Sequence, residues 1–207
     1  MSDRMALKIA IDLMHVPSQV RLLRAEPLPQ GVPTLLRIAA GDVEAARTAA
    51  LSVDRPIEVV HEAATFFIEQ ILFAPNADSY RVLGASRQAD AATLRRNVAL
   101  LLRWLHPDLD PRGERSIFAG RVTAAWNDLK TPERRAAYDD ARGQSRRAQR
   151  SSKAGKTSAR HGSNDSLFSR GGVRRIDGAR RVPSHLARSK GGFWRRALSL
   201  IFHVPQQ

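Results

Sequence analysis

Apolar positions recur at helical spacing through most of the first 140 residues. Between Ile57 and Leu72 the residues Ile57, Val60, Ala64, Phe67, Ile68, Ile71 and Leu72 fall on one face of a helix. Asp54 and Pro56 open that segment, with Pro56 in the first turn, and it must end before Pro75. Upstream, the pattern predicts a short helix over residues 35–40 that stops at Gly41. A second follows, capped by Asp42 and running to about Leu51. Pro17, Pro27, Pro29, Pro33 and Pro56 keep these pieces short. Residues 1–75 show no nucleophile motif, ligand cluster or glycine-rich phosphate loop, so they read as a helical scaffold or docking module.

Residues 78–142 carry a denser set of signals. Tyr80, Val82 and Leu83 form a short apolar strip that ends at Gly84, and Asp90 is placed to cap the next helix. There Leu94, Val98, Leu101, Leu102 and Leu105 cluster on one side, with Arg96 and Arg103 opposite and Arg95 at the border. That helix must stop at His106, because Pro107 drives the residue before it out of the α region. Pro111 and Gly113 keep the next stretch irregular. Phe118, Val122, Ala125, Trp126 and Leu129 then share one face of a third helix. Thr131-Pro132-Glu133 restarts the chain: a capping hydroxyl, a proline at the first helical position and an acid near the positive helix end. The fold class expected for the body is all-α.

From Gly143 to Gly192 the chain is rich in Ser, Gly and Arg and shows neither helical period nor strict alternation. It is expected to be a disordered linker. Residues 193–203 separate into two faces on a helical wheel. Arg195, Arg196, Ser199 and His203 share a polar arc, and Phe193, Trp194, Ala197, Leu198, Leu200, Ile201 and Phe202 fill the rest. A helix of about 11 residues is marginal alone in water. This one is expected to seek either an anionic membrane interface or a protein groove, with Phe193, Trp194, Leu198, Ile201 and Phe202 as the contact residues.

Charge sharpens this division. The 207-residue chain has a formal net charge of +14, yet residues 1–140 hold 18 basic and 18 acidic side chains. The whole excess lies in residues 141–207, which hold 16 basic and 2 acidic ones. Phe168 is the lone aromatic of residues 143–192, so stacking on bases is not expected and any nucleic-acid affinity there is nonspecific. With no Cys, a disulfide framework, a Cys-based zinc site and a thiol nucleophile are excluded. The apolar stretch Ala6–Met14 carries Lys8 and Asp12 and lacks a cleavage-site pattern, so a signal peptide is not expected. No apolar run approaches the roughly 20 residues that span a bilayer. A cytoplasmic location, peripheral at the membrane if the last helix docks there, follows as the expectation. The six histidines lack metal-ligand spacing, and no carboxylate pair is placed for acid–base work, so neither metal, cofactor nor catalytic residue is expected.

The order Tyr80-x-Val82-Leu83-Gly84, a partly basic helix, His106-Pro107-Asp108, Ala125-Trp126-x-x-Leu129 and Pro132-Glu133-Arg134-Arg135-Ala136-Ala137-Tyr138-Asp139 resembles a J domain, the DnaJ-type co-chaperone module. The resemblance covers residues 78–142. It implies four helices with an antiparallel central pair and the His106-Pro107-Asp108 loop at its tip. It further implies that His106, Pro107, Asp108, Arg95, Arg96 and Arg103 dock on a DnaK-type chaperone and stimulate its ATPase. In the family the second helix usually carries more Lys or Arg; here Ala99, Leu100 and Trp104 stand at such positions. For Leu100 and Trp104 two readings are open: packing against the N-terminal region or a neighbouring helix, or an altered, more apolar partner surface. With the latter, the module would serve as a non-activating scaffold. Phe118 stands one residue early relative to Ala125, and Trp126 replaces the family's usual Tyr. No glycine- and phenylalanine-rich segment or Cys-repeat module follows, which resembles a J-domain-only architecture targeted by its flanking regions.

Overall fold

The computed structural model describes residues 3–106, 108–109 and 113–158. Among them every regular element is a helix: α1 (Asp3–His15), α2 (Val20–Leu23), α3 (Val32–Ala39), α4 (Val43–Val53), α5 (Ile57–Phe67), α6 (Ser79–Val82), α7 (Ala91–Trp104), α8 (Ala119–Leu129) and α9 (Pro132–Ser158). Short 3-10 turns precede α2 (Pro17–Gln19) and α8 (Glu114–Phe118), and one wide π-helical segment, Ile68–Leu72, continues α5.

Local chemistry sets the helix starts. The Asp42 carboxylate accepts the Ala45 N–H at 3.0 Å, Asp78 accepts that of Arg81 at 2.8 Å, and Asp90 accepts that of Thr93 at 2.7 Å. Thr131 caps α9 through its hydroxyl, which accepts from the Arg134 N–H. The Ala45 N–H bond, and then the Arg37 guanidinium, favour the Asp42 carboxylate and hold its pKa below the ordinary value. In α1 the apolar run becomes a core face: Ala6, Leu7, Ala10, Ile11 and Leu13 are buried, while Lys8 and Asp12 stay exposed. That face packs along α5, whose Val60, Ala63, Ala64, Phe67, Ile68, Ile71 and Leu72 are all buried. Ile57, grouped with them by period, remains partly exposed because the helix begins there at the rim.

Residues 1–75 and 78–142 do not have separate cores. One continuous hydrophobic cluster runs from Ala6 to Leu129. Helix α7 lies at the seam, packed against α8 on one flank and against α3 on the other. The seam needs Gly84, whose φ is +62°. A Cβ there would stand 3.0 Å from Val32 Cγ1 and 3.2 Å from Leu36 Cδ1, so both the backbone conformation and the approach of α3 require glycine. Asn97, fully buried on α7, donates through Nδ2 to the Leu83 carbonyl at 2.9 Å. The end of α6 is thereby tied to α7.

The extent of α9 corrects one expectation. Residues 143–158 were placed in a disordered linker, but α9 continues through them to Ser158. The segment is rich in Arg, Lys, Gln and Ala, which are good helix formers. Once Thr131, Pro132 and Glu133 have nucleated the helix, each further residue adds a hydrogen bond without a new nucleation cost. Residues 159–207, including the expected amphipathic helix of residues 193–203, lie outside the described residues.

Candidate partner-docking site

The exposed face of α7 leads straight to the His-Pro-Asp sequence. Ala92, Arg95, Arg96, Ala99 and Arg103 are all exposed, while Leu94, Asn97, Val98, Leu101, Leu102, Trp104 and Leu105 are buried. Positions 92, 95, 96, 99 and 103 fall along one stripe at helical spacing. The three arginines expected to take part therefore share one solvent-facing surface, spaced by the small side chain of Ala99. Nothing in the N-terminal helices covers them.

The helix closes just before the turn. The Leu105 N–H reaches the Leu101 carbonyl at 3.0 Å, and the His106 N–H reaches that of Arg103 at 3.0 Å. A tight turn follows, in which the Leu109 N–H donates to the His106 carbonyl at 2.9 Å. The His106 side chain is 42% exposed and that of Asp108 is 85% exposed, so both project from the tip. His106 Nδ1 lies 3.3 Å from the Asp108 backbone N and 3.3 Å from Asp108 Oδ2. One ring nitrogen cannot serve both. A neutral Nδ1 accepts the amide proton, and an imidazolium donates to the carboxylate. Whichever form holds, Asp108 keeps a carboxylate face open to water, where a partner guanidinium could form a charge-assisted pair. Pro107 itself lies outside the described residues.

Trp104 and Leu100 occupy the opposite border of the helix. Trp104 is the largest of the fully buried side chains among the described residues. Its ring stacks on Phe73 at 6.0 Å with planes 9° apart, and lies 6.2 Å from Phe118; Phe73 and Phe118 stack at 4.5 Å. Leu100 is half-buried against the same core. Trp104 thus presents no surface to a partner; of the two readings open for it, the burial fits packing against the N-terminal region and not an altered, apolar docking face. Its burial also accounts for the missing positive charge: a lysine here would point into the aromatic stack. The early Phe118 belongs to the same arrangement, since it sits in the 3-10 turn before α8 and fills the space beside Phe73.

The motif of α9 fastens the start of the segment to its end. The Ser79 backbone N–H donates to Tyr138 Oη at 2.8 Å, and the Ser79 hydroxyl donates to Asp128 at 2.7 Å. Tyr80 Oη donates to Asp139 Oδ2 at 2.9 Å. Arg135 reaches the Ala89 carbonyl at 2.9 Å, and Arg142 pairs with Asp78 at 2.9 Å. Burial, together with the carboxylate of Asp139, pushes the Tyr80 phenol up to about 12. Tyr80, Arg135, Tyr138 and Asp139 are therefore structural: they close α6 and the chain leading into α7 onto α9.

Sequence reasoning passed over Phe73, Glu69, Arg115 and Arg121. Arg121 donates to the carbonyls of Phe73 and Ala74 at 2.6 and 2.8 Å, satisfying the chain where it leaves the π-helical turn. These contacts join elements nearly 50 residues apart, and no local period announces them.

With this geometry in place, comparison with known proteins is specific. A family model described as DnaJ domain matches residues 78–139. This segment is a J domain. Over 65 residues the chain is 43% identical to the "Chaperone protein DnaJ" of Prochlorococcus marinus subsp. pastoris. Over 63 residues it is 38% identical to the "Chaperone protein DnaJ" of Leifsonia xyli subsp. xyli. Each match covers 30% of this chain and 17% of the relative, so the chain spans under a fifth of the length of these curated relatives. No solved structure matches. In this chain the N-terminal helices pack on α7 of the matched segment through α3. Among the described residues no helix is long and apolar enough to cross a membrane, and no group of His, Cys, Asp or Glu could hold a metal ion.

Proposed function

We propose that the protein is a co-chaperone that stimulates the ATPase of a DnaK-type chaperone. The observation that carries this reading is the uncovered stripe of Arg95, Arg96 and Arg103, which runs along α7 to the exposed His106 and Asp108. Although the N-terminal helices bury one flank of α7, they leave this face open. A positively charged stripe ending in an exposed carboxylate and imidazole suits a docking surface of mixed charge. The arginines would steer an acidic partner surface, and Asp108 would accept a partner cation. No catalytic chemistry of its own is assigned to the protein; the ATP is hydrolysed by the partner.

The test is a single-turnover ATPase assay with a DnaK-type chaperone. The wild-type chain should accelerate hydrolysis, and His106→Gln should abolish the acceleration while leaving the fold intact by circular dichroism. Equal rates with and without the wild-type chain would overturn the proposal. Arg103→Glu should raise the concentration needed for half-maximal stimulation, and the effect should shrink as salt is added.

A further inference from the structure

The turn that presents His106 and Asp108 is closed by Leu109, and Leu109 is held from two sides. Its N–H completes the turn by donating to the His106 carbonyl at 2.9 Å. Its own carbonyl accepts from Arg115 Nη1 at 3.3 Å. Its side chain rests over Gly41, with both Cδ atoms within 3.9 Å of where a Cβ would stand. Gly41 has φ +80° and forms the connection between α3 and α4, so this contact comes from the N-terminal helices.

Arg115 is held in turn. Its guanidinium lies 5.0 Å over the Trp104 ring, and its Nε is 3.3 Å from Glu69 Oε1. Glu69 sits in the π-helical segment that ends α5, again within the first 75 residues. A guanidinium stacked on an indole keeps its N–H edges free for in-plane partners. Here one edge meets Glu69 and another meets the Leu109 carbonyl. An exposed turn with few apolar contacts opens locally at small cost unless something holds it. In this chain Arg115 holds the turn from within residues 78–139, and the groups that support it from outside that segment are Gly41, under Leu109, and Glu69, against Arg115.

We propose that Arg115, oriented by Glu69 and Trp104, is a positioning residue that holds the His106–Leu109 turn, and that the N-terminal helices thereby set the conformation in which the J-domain loop is presented. This gives residues 1–75 a role: they are the platform of the loop rather than an independent module. The inference rests on the proposed function only for its consequence on ATPase stimulation; the holding of the turn stands apart from it.

Hydrogen–deuterium exchange on the full chain reads the turn directly through the Leu109 amide. Arg115→Ala should speed exchange there by about tenfold, the change that follows loss of a charge-assisted hydrogen bond. Glu69→Gln should give a smaller increase, and Arg115→Lys should recover part of the protection by keeping the charge pair. Exchange at Val122 and Ala125 on α8 should stay at the wild-type rate. Unchanged Leu109 exchange in Arg115→Ala would overturn the inference, as would an equal rise across α8, which would mean general destabilisation. In the ATPase assay Arg115→Ala should lower the plateau of stimulation. Full stimulation by this variant would reduce Arg115 to a structural contact and overturn the positioning role. If the wild-type chain fails to stimulate but the Leu109 amide still responds, the functional proposal falls and the platform stands.

Discussion

The indole of Trp104 and the phenyl ring of Phe73 stack almost parallel, their planes 9° apart and their centroids separated by 6.0 Å. One ring belongs to the J domain's α7, the other to the chain just after the π-helical turn. This pair turns what would be a solvent-facing flank of α7 into a seam shared with the N-terminal helices.

Replacement of Trp104 should therefore be felt as a loss of stability. Trp104→Ala is expected to cost about 3–5 kcal/mol, the range for emptying a buried aromatic site. Trp104→Phe should cost much less. The Trp104 Nε1–H has no hydrogen-bond partner among the described residues, so phenylalanine forfeits volume but no hydrogen bond. Trp104→Lys should be at least as damaging as alanine because it leaves a charge without a partner in the stack. Leu100→Lys should be tolerated, since a half-buried position lets the ammonium reach water along its stem. Urea unfolding of the four variants checks the order. A lysine at 104 as stable as the wild type would show that the seam opens in solution.

Gly84 gives a second measurement on the same seam. Gly84→Ala adds left-handed backbone strain of roughly 1–2 kcal/mol and a contact at 3.0 Å with Val32 Cγ1. Val32→Ala removes the nearer crowding atom but neither Leu36 Cδ1 nor the strain. The double variant should then be less destabilised than the two single costs added together, and a thermodynamic cycle reports that coupling. Additive costs would mean that α3 does not approach Gly84 this closely.

The caps and the helix-turn motif were legible from the sequence because they are local. Asp42 and Asp90 bind amides three residues ahead, and Thr131-Pro132-Glu133 marks a start whatever packs around it. The stripe of Arg95, Arg96 and Arg103 follows from period alone. Trp104 and Leu100 were ambiguous because a helix wheel shows only one apolar arc, while α7 is packed on two flanks. The second flank is visible only once α3 and Phe73 are placed beside it. Arg115 was invisible for the same reason, as its partners Glu69, Trp104 and Leu109 come from three separate stretches of chain. The helix over residues 143–158 was missed in the other direction. Its Ser and Gly content reads as a linker, but the helix nucleus at Thr131 lies upstream of that segment and carries through it.

Below neutral pH the stability of the chain should fall through His61. Burial and the nearby Arg115 guanidinium hold its pKa below the ordinary value of 6.5, against a weaker opposing effect from the Ala39 backbone hydrogen bond. In the unfolded chain the ring takes up its proton near 6.5, while the folded chain resists until lower pH. The stabilising effect is complete above about 6.5 and is lost as pH drops from there to the folded value. The midpoint of urea unfolding should thus decrease between pH 7.5 and 5.5, and His61→Gln should show a flatter profile over this window. Parallel profiles for the two proteins would place the pH dependence on other groups.

Tyr80 predicts the opposite limb, at alkaline pH. Its phenol is pushed up to about 12, first by burial and then by the hydrogen bond to Asp139. In the unfolded chain a tyrosine ionises near 10, so the unfolded state releases its proton first as pH rises. Stability is then retained below about 10 and is lost as pH climbs from there towards 12. Tyr80→Phe removes both the titration and the hydrogen bond, which should lower stability at neutral pH by about 1–3 kcal/mol by leaving the part-buried Asp139 carboxylate without its donor. The same variant should lose stability less steeply above pH 10 than the wild type. Asp139→Asn separates the two causes. It keeps the burial but removes the negative charge, so Tyr80 should ionise at lower pH than in the wild type while staying above the ordinary range. The chain has two tyrosines, so the absorbance change on phenolate formation, read as the difference between each variant and the wild type, assigns the step to Tyr80. An Asp139→Asn curve that overlays the wild type would leave burial alone as the cause of the shift.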